Sequence, residues 1–462
     1  MTDSLTSVPS NWSRTLPGVA PAILLLVVAI AVGPRLGPLF RPLFVAGCGA
    51  AGWYAWRSGP YAHVQAALFL FAFAPLARRI VDVSAGYDPT GLMLIGPLLA
   101  IIVPLPQLRH YLEDKNAMPP GMTPILVTAG CVAYAAAISL FQGDWFNAAS
   151  GTLKWMAPLV YASALLQYAD REQLVEAMTS AFLVILPITG LIGIYQYIDP
   201  PDWDRYWMQF APILSVGQPL PYEVRVFSTM NGPATFATFT ATGLLLVCFL
   251  RPRWYLPLAA IPAALAFLLS LYRTAWLSLA VGVLFCLLFQ SMRRRAAVIM
   301  LGAVGAVVIA ATLPPFADVV GERLGTLGEG AGDDSARERL EQYVTLWNQS
   351  DSSLFGIGFT TGDVGSAGTI ATDGMIISCW QAMGIVIGLF CLSALVWVCL
   401  KMVAAAWRDS RREATIIGAL GCGALVQLPL ANITSSELGF LFWTFAALAM
   451  LEPSVPAKSG VQ

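Results

Sequence analysis

Apolar runs of 13 to 25 residues recur along this chain, separated mostly by short polar stretches. They occupy residues 21–33, 43–56, 64–76, 92–106, 124–141, 153–166, 181–198, 234–250, 256–269, 276–289, 297–313, 376–400, 416–430 and 438–450. A helix needs about 20 apolar residues to cross a hydrocarbon core of roughly 30 Å. The pattern therefore predicts an all-α, polytopic integral membrane protein of about 12–14 transmembrane helices. Proline and glycine are frequent inside the runs, which lipid-embedded helices tolerate where neighbours satisfy the freed backbone groups. The run at 21–33 reads as a retained first helix, because no small-residue cleavage site follows it.

Two polar stretches are long, 199–230 and 314–373. No linker or internal repeat divides the chain, so residues 1–462 read as a single membrane domain with two structured loops. A transporter of inverted-repeat design would show matching broken segments in its two halves. None is visible. With the N-terminus in the cytoplasm, 15 of the 26 Lys and Arg, including Arg293, Arg294 and Arg295, fall inside, against 9 of the 27 acidic residues. That asymmetry follows the positive-inside rule and puts both long loops outside.

Composition narrows the picture. The hydrophobic share is 57% and the charged share 11%, too few charges for a soluble domain. A net charge of −1 gives no reason to expect a nucleic-acid partner. Eight cysteines are scattered without CxxC spacing, which argues against a disulfide framework or zinc site. There is no metal-ligand spacing and no phosphate-binding P-loop, so no metal and no cofactor is expected.

Several polar residues then need an explanation. Trp203, Tyr206, Trp207 and Phe210 in the first loop read as an interfacial aromatic belt. Arg78 and Arg79 sit with Asp82 at an outer helix end and read as a local ion pair. Arg225 precedes a long apolar helix, where a snorkelling arginine would also fit. Arg273 lies between two apolar runs with room only for a tight turn. An arginine at such depth is a functional-site hypothesis by default. In the long loop, Ser335 and Glu338 form a capping box, and Leu340, Tyr343, Val344 and Trp347 follow on one helical face, predicting an amphipathic helix near 335–348. Arg337 and Arg339 fall on opposite edges of that face. The glycines of 354–362 would let backbone amides approach a phosphate, or make a plain loop. Asp373 opens the next helix as an N-cap or as a functional carboxylate. Several arginines on one outer face suit phosphate oxygens, because the guanidinium fork is bidentate and keeps its charge.

Three stretches resemble the O-antigen ligase and Wzy-type polysaccharide polymerase superfamily. They are RVFSTMN at 225–231, SLYRTAW at 270–276, and SARERLEQY at 335–343 followed by SLFGIG at 353–358. Tyr343 stands where that family usually has tryptophan, and Ser353 where it usually has proline. The resemblance implies a GT-C-like, inverting, metal-independent glycosyltransferase of the bacterial inner membrane with a periplasmic active site. Its substrate would be an undecaprenyl-diphosphate-linked oligosaccharide among membrane lipids, and its partners a chain-length co-polymerase and a flippase. By matching position Arg273 and Arg339 would be catalytic and hold the diphosphate. Arg225, Arg337, Tyr272 and Asn231 would line the same cavity. Ligases of the superfamily resemble one another in a histidine late in the long loop. This chain has only His63 and His110, neither placed outside, and Asp373 is the ionisable group in the matching region. The residues therefore point to a polymerase of exopolysaccharide or O-antigen type, with Asp373 catalytic. A ligase acting on lipid A–core, a flippase of lipid-linked sugars, or a non-catalytic scaffold are the competing readings.

Overall fold

The computed structural model describes residues 12–113, 118–119, 121–211, 214–251, 256–312, 341, 344, 347–348, 354–359, 374–409 and 411–451. Its elements are helices: α1 (Trp12–Ala31), α2 (Gly33–Leu36), α3 (Phe40–Arg57), α4 (Pro60–Ala85), α5 (Ile95–Ile102), α6 (Arg109–Glu113), α7 (Met122–Phe141), α8 (Trp145–Tyr168) and α9 (Arg171–Ile198). After them come α10 (Asp202–Phe210), α11 (Pro233–Leu250), α12 (Leu256–Leu269), α13 (Arg273–Leu287), α14 (Gln290–Thr312), α15 (Met375–Arg408), α16 (Arg412–Gln427) and α17 (Ser436–Met450). Among the described residues there is no strand, only an isolated bridge between Gly217 and Val224.

Most of the apolar runs fall on one of these helices each. Six are long and apolar enough to cross a membrane: α1, α4, α7, α9, α11 and α15. Shorter apolar helices accompany them, among them α13 and α17. Large apolar side chains stay exposed along the outer helices, such as Leu24 and Val27 on α1, Leu301 on α14 and Leu389 on α15. A protein surrounded by lipid has no reason to hide them. The bundle is that of a polytopic membrane protein. Helix α4 lies at its centre, with nearly all its residues buried.

Local sequence sets the helix starts. The Asp144 carboxylate accepts from the amide of Asn147 at 3.2 Å and caps α8, and Asp170 accepts from Gln173 at 3.0 Å and caps α9. Two runs depart from the single spans expected. Residues 92–106 form short pieces, α5 flanked by one-turn 3-10 segments at 92–94 and 105–108, because Pro97, Pro104 and Pro106 remove amide donors there. Helix α15 breaks at Gly384, whose φ of 73° is open only to glycine without strain.

Contacts between connections define two faces. On one, segments 86–91, 199–232, 270–272, 354–359 and 428–435 meet. On the other, Arg171 donates to Asp409 at 3.0 Å and to the carbonyl of Leu448 at 2.9 Å. Arg251 pairs there with Glu176, and Arg411 with Glu172. This opposite face carries the basic connections and ties the C-terminal helix to α9.

Candidate functional site

The first motif, at 225–231, is held by a buried polar network. Arg79 of α4, fully buried, donates Nε to Asp204 Oδ1 of α10 at 2.7 Å. Its two terminal nitrogens donate to the carbonyls of Ser228 and Met230. Gln196 of α9 donates to the other Asp204 oxygen at 2.7 Å and accepts from the amides of Phe227 and Ser228 at 2.9 and 2.8 Å. Burial pushes the Asp204 carboxyl up from its ordinary pKa, against the pull of Arg79 and Gln196. Ser228, at φ 50°, donates to the carbonyl of Thr189 at 2.5 Å. A left-handed serine persists only where its surroundings over-determine it, as they do here.

This network revises two expectations. Arg78 does pair locally with Asp82, at 3.3 Å, and Arg41 joins them at 2.8 Å. Arg79 does not, because its side chain leaves the helix on the face that meets α10. The aromatic residues of α10 are not simply a belt either. Trp207 is buried with Val216, Val224 and Phe227 beneath the Arg79 guanidinium, while Tyr206 accepts from the amide of Tyr87 at 3.1 Å. Only Phe210 is well exposed, stacked on Tyr87.

The second motif docks onto the first. Arg225 donates to the carbonyl of Leu271 at 3.0 Å, and the amide of Val226 donates to the carbonyl of Leu269 at 3.1 Å. Leu271 takes φ 53°, turning the chain sharply so that Arg273 opens α13 directly after Tyr272. The Ser270 hydroxyl and the indole of Trp276 both donate to the carbonyl of Phe267, closing the end of α12. Arg225, Tyr272 and Arg273 are thus gathered on one face, each half-buried.

A cavity of about 620 Å³ opens on the same face between α4, α5, α8, α15 and α17. Asn231, the last residue of the first motif, lines it. So do Lys154 and Glu437, which the sequence reading passed over because both sit at the edges of apolar runs. The Glu437 carboxylate lies near Thr235 and within the field of Lys154.

The third region serves the kink. Amides of Ile357 and Gly358 donate to the carbonyls of Gln381 and Ala382 at 2.8 and 3.1 Å, groups that the break at Gly384 releases from the helix. A Cβ on Gly358 would stand 2.3 Å from Ser139 Oγ. These glycines let the segment lie against α15 and α7, which favours the plain-loop reading over a phosphate cradle. Of the amphipathic helix, Glu341, Val344, Trp347 and Asn348 are helical; Val344 and Trp347 are exposed, and Trp347 meets Trp380 edge to face at 6.2 Å. Arg337, Arg339, Tyr343 and Asp373 lie outside the described residues.

His63 is buried beside the carbonyl of Ala100 at 3.0 Å, between Trp56 and Tyr161, toward the end of α4 opposite Arg79. The cysteines are free. Among the described residues no group of three or more His, Cys, Asp or Glu is placed to hold a metal.

No curated protein matches the chain. Residues 258–386, less than a third of the chain, match the family model described as O-antigen ligase. The matched stretch contains the Arg273 turn, the long loop and the kinked start of α15. It supports an O-antigen ligase-like or polymerase-like membrane enzyme, and it covers the second and third motifs but not the one at 225–231. Residues 258–386 are thus similar to the O-antigen ligase family, consistent with an O-antigen ligase or Wzy-type polymerase relationship for this part of the chain.

Proposed function

We propose that this protein is an inverting, metal-independent glycosyltransferase of the inner membrane that lengthens undecaprenyl-diphosphate-linked repeat units on the periplasmic side. The observation that carries the reading is the docking of the 225–231 motif on the 270–276 turn, which gathers Arg225, Tyr272 and Arg273 on the face where the cavity lined by Asn231 opens.

In this reading an acceptor sugar hydroxyl attacks the anomeric carbon of the donor glycan. The bond from that carbon to the diphosphate oxygen breaks, and the diphosphate leaves with the electron pair. Arg273 and Arg339 hold the departing charge, the kind of stabilisation that usually dominates such steps. Arg225, Arg337, Tyr272 and Asn231 line the passage, and Asp373 orients the acceptor hydroxyl and receives its proton. A chain-length co-polymerase and a flippase are the natural partners.

The description of the matched family favours a second reading, a ligase that passes finished glycan to lipid A–core. The histidines speak against it: His63 is pinned inside the bundle, and His110 belongs to the opposite face. Purified protein supplied with a lipid-linked repeat unit, and no nucleotide sugar, should produce longer glycans. A deletion strain should accumulate single repeat units. Full-length lipid-linked polymer that is made but not attached to lipid A–core would establish the ligase instead. A requirement for an ion gradient would favour a flippase.

A further inference from the structure

We infer that the cavity bounded by α4, α5, α8, α15 and α17 is a saccharide site, which takes an uncharged sugar unit of the glycan rather than its diphosphate. The inference rests on the proposed function only for the source of the sugar.

Gln381 is 8% exposed, and its Oε1 has no protein hydrogen-bond partner among the described residues. Asn231 Oδ1 is in the same condition, and both residues line the cavity. A buried acceptor left unpaired destabilises by about 1–3 kcal/mol, so each oxygen calls for an O–H or N–H donor. A diphosphate offers only acceptor oxygens and cannot satisfy them. A sugar hydroxyl can, because it donates and accepts together. The Glu437 carboxylate adds a third acceptor. Asn432 points the same way: its oxygen is taken by the Thr434 amide at 3.3 Å and the Ser435 hydroxyl at 3.2 Å, leaving its NH2 group as a donor.

Charge agrees. Among the described residues the charged ones lining the cavity are Lys154 and Glu437, of opposite sign and offsetting each other. No described arginine lines it. The volume falls within the roughly 300–1,000 Å³ usual for small-molecule sites. Phe146 at its rim is 57% exposed and offers a ring face for the C–H side of a pyranose. The family of charges that would hold a diphosphate stands elsewhere on this face, at Arg225 and Arg273. Leaving group and sugar would therefore occupy separate compartments.

The test uses the full-length protein and the free repeat-unit oligosaccharide released by mild acid from its lipid diphosphate, and so without lipid or phosphate. Calorimetric titration should give saturable binding. Gln381→Met and Glu437→Gln should each weaken it about tenfold or more. Phe146→Ala, at an exposed position that leaves the fold intact, should weaken it severalfold. Inorganic pyrophosphate should not displace the sugar. Binding unchanged in all three variants, displacement by pyrophosphate, or no binding by the unaltered protein up to about 10 mM would each overturn the inference. Sugar binding without any extension of lipid-linked units would sink the polymerase reading and leave this site standing. Extension that proceeds normally in the variants would sink this site alone.

Discussion

Two arginine environments share one face of this protein, and they do opposite things with the same side chain. Arg79 is wholly buried, and its guanidinium nitrogens are spent on Asp204, Ser228 and Met230. Arg225 and Arg273 are half-buried at the turn where two loop segments meet, with Arg225 donating to the Leu271 carbonyl. The first arginine has no face left for a ligand and fixes the shape of the 228–231 segment. The others stand where a ligand can reach them. What separates the two environments is access: Arg79 is sealed in the core, whereas Arg225 and Arg273 keep part of their surface exposed.

The comparison breaks most visibly at Asp204. Removing it by Asp204→Ala leaves Arg79 charged and uncompensated in the core, a loss of about 3–5 kcal/mol. Membrane levels and thermal stability should fall together with activity. An Asp204→Ala protein of normal stability would show that the clamp is not structural.

Arg273→Ala should do the reverse. Product formation should drop about 10²–10³-fold, the loss expected when a charge-stabilising donor is removed, while membrane level and melting behaviour stay near normal. Arg273→Lys should recover part of the activity, since an ammonium keeps the charge but lacks the fork. Near-normal turnover by Arg273→Ala would remove this arginine from the site.

A smaller effect separates the kink from the site. Gly358→Ala forces a left-handed alanine against Ser139 and should destabilise by about 1–3 kcal/mol. Gly49→Ala in α3, where a Cβ meets nothing within 4 Å, should change stability by no more than about 1 kcal/mol, in the favourable direction. Equal behaviour of the two variants in a thermal-shift assay would argue against the close approach of 354–359 to α7. The smallest effect is expected from EDTA, which should leave glycan extension unchanged. Loss on chelation, restored by a divalent ion, would contradict the metal-independent reading.

Much was legible along the chain. Apolar runs placed every long helix, because a helix in lipid must satisfy its own backbone and therefore needs an uninterrupted apolar stretch. The motifs at 225–231 and 270–276 were visible as polar residues out of place, and the structure joins them. Less legible was anything that depends on a partner far along the chain. Arg79 and Asp204 are 125 residues apart, so the nearby Asp82 was the natural partner to choose for Arg79 from sequence. Lys154 and Glu437 each look like a helix-edge charge until the packing of α8 on α17 makes them neighbours. The break at Gly384 hides inside an unbroken apolar run, because hydropathy does not register a φ angle.

What this sequence determined by itself is the membrane, the helices and the kinds of charge they carry outward, since those follow from local runs of side chains. What only the tertiary structure decided is which charges are sealed in the core with a distant partner and which stay accessible at the surface of a turn. That is settled by hydrogen bonds between residues brought together from helices far apart in sequence, and no local pattern encodes it.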